Sequence, residues 1–127
     1  MKWNKAPEEL VTFLEEASLS VEGSQKRMMF GFPCYFINGN MYMAAHEERL
    51  ILRVGAAERE ALVTAGSAFS SFEPIAGRVM KEYVVVPQHV YADLAQFNPL
   101  LEKCLQYVRE LPTKKARSAT GRGKTKK

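Results

Sequence analysis

The sequence has no long hydrophobic run. Its uninterrupted apolar stretches, such as Tyr83 to Pro87, are a few residues long, far short of the ~20 that a membrane-spanning helix requires. The first ten residues, MKWNKAPEEL, lack the apolar core of a secretory signal. The expectation is a cytoplasmic protein with no membrane contact. Cysteine is scarce: Cys34 and Cys104 show neither paired nor metal-ligand spacing and are expected to be reduced thiols. Histidine is limited to His46 and His89. Neither a Walker pattern nor G-x-G-x-x-G occurs, so no phosphate-binding glycine loop is present. Internal repeats are absent, and the only low-complexity stretch is a basic tail.

What is there fits one domain. The chain has 127 residues, 46% hydrophobic and 25% charged, ordinary values for a soluble globular protein. The net charge of +4 is unevenly distributed. From Pro112 onward, PTKKARSATGRGKTKK holds Lys114, Lys115, Arg117, Arg122, Lys124, Lys126 and Lys127 and no acid. That leaves 11 basic residues against 14 acidic ones in the body, a net of −3. Residues 1–111 are therefore expected to fold. Beyond Pro112 no apolar residue is larger than alanine, which predicts a disordered tail over residues 112–127. Its seven cations predict weak, nonspecific nucleic-acid contact by counterion release.

Leu10, Phe13, Leu14 and Ala17 recur at i, i+3, i+4, i+7, which predicts a first helix, with Pro7 suited to its first position. Gln25 to Phe30 reads as a strand, with a bulge or corner expected at Gly31 to Pro33. Cys34 to Ile37 is apolar throughout, as a central strand requires. Asn38-Gly39 is a tight-turn signal, and Met41 to Ala45 returns as a third strand. After the polar turn His46-Glu47-Glu48, Arg49 to Val54 alternates as a fourth. Ala57 to Ala65 predicts a short helix with Ala61, Leu62 and Ala65 inward. Ser67 to Gly77 reads as a loop pinned by Phe69 or Phe72. Glu82 to Val86 forms a fifth strand, and Val90 to Phe97 a short helical turn. Asn98-Pro99 reads as the start of a last helix, with Leu101, Cys104, Leu105 and Val108 on its apolar face. The sum is a two-layer α+β domain: an antiparallel sheet of about five strands with helices packed on it, in the order helix, four strands, helix, strand, helix.

No catalytic constellation emerges. Cys34 has no cation close in sequence to activate it, and Cys104 lies in an apolar helical stripe. His46 beside Glu47 and Glu48 lacks a second ligand at metal spacing. Met28, Met29, Met41 and Met43 could furnish an adaptable binding surface, but the strand pattern alone accounts for them and they are expected in the core. Arg53, Arg78 and Lys81 converge in the pattern near the fourth and fifth strands and form a candidate interaction face for an acidic partner. No catalytic, cofactor-binding or metal-binding residue is expected.

RMMFGFPCYFINGNMYMAAHEERLILRV, followed by FEPIAGRVMKEYVVVP and a closing helix, resembles the TfoX/Sxy N-terminal domain family from about Arg27 to Leu111. The resemblance implies a compact two-layer α+β fold, often likened to secretion chaperones. Full-length members regulate natural competence as transcriptional coactivators and carry a second, helical C-terminal domain; after Leu111 this chain has only the basic tail. The resemblance supplies no catalytic residues. The leading expectation is a non-enzymatic regulatory module that binds a protein partner, with homodimer formation through a sheet edge or apolar face. The alternative is a small ligand-binding protein or enzyme with a pocket between sheet and helices.

Overall fold

The computed structural model describes residues 6–65 and 68–113. The apolar 3.6-residue period of the first segment forms α1 (Glu8–Leu19), which buries Leu10 and Leu14 and carries Glu8 and Glu9 in its first turn, favourable beside the positive end of the helix dipole. Pro7 is extended and caps the helix instead of opening it. A meander follows: β1 (Gln25–Met29), β2 (Phe32–Ile37), β3 (Asn40–His46) and β4 (Arg49–Arg53). Each hairpin turns through a residue with positive φ, at Phe30 (54°), Asn38 (52°) and Glu47 (58°), the left-handed geometry that two-residue hairpin turns demand. The first turn is Phe30-Gly31, so Pro33 is not a corner: it lies within β2 opposite Met28. The irregularity falls later, between Tyr35 and Phe36.

The chain then forms α2 (Ala56–Thr64), β5 (Ser70–Ile75), β6 (Arg78–Val86), α3 (Gln88–Tyr91) and α4 (Leu94–Arg109). The sheet has six antiparallel strands in the order β1-β2-β3-β4-β6-β5, one more than the pattern predicts. The extra strand, β5, occupies the expected loop. Its two serines, Glu73 and Pro74 give no apolar alternation, and an edge strand tolerates a proline that a central strand would not. Phe72 is buried there, as a pin should be. β6 starts at Arg78, four residues before the expected Glu82, because its first part pairs only with β5. α4 starts at Leu94, where the Asp93 carboxylate accepts from Ala95 N–H at 3.1 Å, and Pro99 lies inside the helix. On α2, Leu62 and Val63 pack on the core while Ala61 and Ala65 are exposed.

The main core lies between the sheet and the helices. Met43, Leu50, Leu52 and Val84 meet Leu14, Phe97, Cys104 and Val108 there, all fully buried. The backbone of Gly55 (φ 93°) touches the Tyr107 ring so closely that a Cβ would lie 2.9 Å from it, which requires glycine at the start of α2. A smaller cluster, Cys34, Phe36 and Ala44, occupies the opposite sheet face. On that face His46 of β3 touches Phe72 of β5, ring centroids 5.2 Å apart, although β4 and β6 lie between them. In a flat sheet three strand spacings would separate the backbones by about 14 Å, so the sheet curls over this face.

Candidate interaction surface

The β5–β6 hairpin carries two of the three cations singled out from sequence. Arg78 opens β6 opposite Ile75, and Lys81 follows three residues later. Both are exposed, and neither forms an ion pair among the described residues. Ile75 (62% exposed) is the cross-strand partner of Arg78, and Val79 (41%), next in sequence, lies on the other face of the hairpin. The hairpin is anchored from behind: Arg59 of α2 donates to the Lys81 carbonyl at 2.6 Å and to Ser71 Oγ at 2.8 Å. The Glu73 carboxylate accepts from the Gly77 N–H at the turn. Together these place two unneutralised cations and two apolar side chains on a braced projection.

Arg53 differs from the other two. It pairs with Tyr83 across β4 and β6, its guanidinium 5.5 Å from that ring's centroid, and Nε donates to Glu82 Oε1 at 2.7 Å. Burial penalises its charge, but Tyr83 and Glu82 offset this and raise its pKa. Arg53 is thus a half-buried, neutralised support at the base of the surface.

The thiols are not activated. Burial pushes Cys34 up to about 11 and Cys104 to about 12, despite lowering contributions from backbone hydrogen bonds. Cys104 Sγ donates to the Tyr42 carbonyl at 3.2 Å. His46 packs against Phe32 and Phe72 and accepts at Nδ1 from Arg49 Nη2 at 3.0 Å; burial, then Arg49, lowers its pKa. No group of three metal-ligating side chains gathers among the described residues. Three open grooves of ≈ 460, 590 and 690 Å³ lie along α1, and Cys34, His46 and Arg78 line none of these three.

Of the four methionines between Met28 and Met43, Met43 is fully buried and Met41 half-buried, but Met28 (59%) and Met29 (42%) are exposed on β1, next to Phe30 (79%). This exposed trio was hidden in sequence because the Met-Met-Phe run looks like core. The adjacent Lys26-Arg27 pair was the available signal that β1 is an edge. The Lys114 to Lys127 cations lie outside the described residues, and among those described no helix is long and apolar enough to cross a membrane.

A single curled antiparallel sheet with its helices packed on one main core, bearing a braced cationic hairpin, defines a small α+β module. The chain belongs to the TfoX N-terminal domain family, whose sequence profile matches residues 17–108. No curated protein and no solved structure matches it.

Proposed function

We propose that this chain is a non-enzymatic regulatory module that binds a protein partner through the end of the β5–β6 hairpin. The observation that carries this reading is that exposed Arg78 and Lys81 share one braced hairpin with exposed Ile75 and Val79. Such a surface suits a partner presenting carboxylates around an apolar contact. Family membership supports a TfoX-like module, and the high-lying thiol pKa values favour binding over nucleophilic chemistry. In this reading the basic tail adds weak nucleic-acid contact.

The test is capture of partners from the protein's own cell lysate, with and without nuclease. The intact chain, a chain lacking the tail and the double variant Arg78→Glu/Lys81→Glu are compared. A protein retained after nuclease treatment and without the tail, but lost with the charge reversal, supports the reading. Retention by the charge-reversed chain would overturn the assignment of this surface.

A further inference from the structure

We propose that the chain self-associates through β1, with Lys26 facing its own copy across a two-fold axis so that the two sheets join edge to edge. β1 is an outer strand, and all five of its residues are exposed. The two-residue turn at Phe30-Gly31 directs the Met29 backbone toward Phe32. Alternation then turns the backbone groups of Arg27 and Gln25 toward β2, and those of Lys26 and Met28 toward the free edge. An antiparallel copy of the same strand can pair with that edge. The opposite edge is less suited, since β5 carries Pro74 and has broken register.

The two ends of β1 complement one another, as an isologous contact requires. One end presents exposed Met28, Met29 and Phe30. Beside the other end lies an open groove of ≈ 590 Å³ between α1 and β1, lined by Leu19, Val21, Ser24 and Tyr35. Leu19 is 84% exposed at its rim, and Tyr35 is buried there, its hydroxyl beside Ser18 without a well-formed hydrogen bond. A two-fold axis at Lys26 places Met28 of one copy opposite Ser24 of the other, over this groove, and repeats the contact in reverse.

Charge selects that register. Each Lys26 Nζ donates to Glu15 Oε2 at 2.8 Å, so the axis gathers two lysines and two glutamates of no net charge. Arg27 then falls beside Gln25 of the second copy. A register centred on Arg27 would instead oppose two guanidinium groups, each packed 4.7 Å from Phe36 and without a carboxylate partner among the described residues.

Sedimentation velocity on the full chain at high micromolar concentration is the test. The expected mass is that of two chains. Met28→Lys, at an exposed position, should keep the unfolding temperature of the dilute single chain but raise the dimer dissociation constant about tenfold or more, since it places new cations at the contact. Lys26→Cys should give a disulfide-linked dimer on mild oxidation, because directly opposed strand residues lie within disulfide reach. Glu102→Cys, at an exposed position of α4, should not. A one-chain mass for the unmodified protein, a dimer indifferent to Met28→Lys, or equal cross-linking at Glu102 and Lys26 would each overturn the proposal.

Discussion

At the residue scale, Phe30 carries two costs at once. It holds φ at 54° in a position that asparagine or glycine would take more easily, and it leaves an aromatic side chain 79% exposed. Phe30→Asn would match the Asn38-Gly39 turn of the same sheet. In the dilute single chain it should relieve backbone strain of up to about 1 kcal/mol, read in a urea titration, while weakening the β1 contact in which Phe30 takes part. Cys34 is set chiefly by burial, which outweighs a backbone hydrogen bond. Its thiol, 5% exposed and pushed up to about 11, should alkylate far more slowly than free cysteine at pH 8. Cys34→Ser should cost about 1–3 kcal/mol if the hydroxyl is left without a good partner. A rapidly labelled native thiol would contradict this. His46 gives the fold a pH dependence of definite sign. Burial and Arg49 hold its folded pKa below the ordinary imidazole value of 6.5, so around and below pH 6.5 the unfolded chain binds the proton more readily. Stability is therefore lost as pH falls from about 6.5 toward the folded pKa. Melting temperatures measured across pH 5 to 8 should show this fall, and His46→Gln should flatten it.

At the element scale, segments with a strong period were readable and those stabilised by context were not. The Leu10, Phe13, Leu14, Ala17 stripe, the Asn38-Gly39 turn and the alternation of Arg49 to Arg53 state their structure locally, and all three appear as expected. β5 does not, because SSFEPI takes its strand geometry from pairing with β6 and from Phe72 packing against His46. The candidate site shared that limit. Arg78 and Lys81 were visible as cations, but the strand that puts Ile75 next to them was not. α4 shows a different failure. Asn98-Pro99 has the composition of a helix start, yet Asp93 provides the cap five residues earlier, and the helix continues through Pro99. The two starts are separable by experiment. Asp93→Ala should cost about 1 kcal/mol, the usual loss for removing a cap, whereas Asn98→Ala should change stability by less than half of that. Equal effects at the two positions would mean that Asp93 does not set the helix start.

On the scale of the whole molecule, charge separates the body from the basic segment that follows it. Residues 1–111 carry a net of −3, and the seven cations from Lys114 to Lys127 face no acid in their own segment. The folded body does reach slightly past Leu111, since the Pro112 carbonyl accepts from buried Asn40 Nδ2 at 3.0 Å. Cutting after Leu111 would leave that amide only a long contact to the Asn38 carbonyl at 3.5 Å, at a cost of about 1 kcal/mol or more. The truncation that isolates the cations therefore ends at Thr113. Such a chain should melt within a degree or two of the intact protein, while one ending at Leu111 should melt lower. The Thr113-ended chain should also lose any affinity for duplex DNA, because a body of net negative charge repels phosphate. If the intact chain engages about four to six phosphates, log K should fall against log salt with a slope of about −3.5 to −5.5. Two unrelated duplexes should bind alike, since phosphate contacts carry no base information. Fluorescence anisotropy across a salt series measures both quantities. Binding that survives truncation at Thr113, or that differs strongly between the duplexes, would transfer nucleic-acid recognition from the tail to the folded sheet.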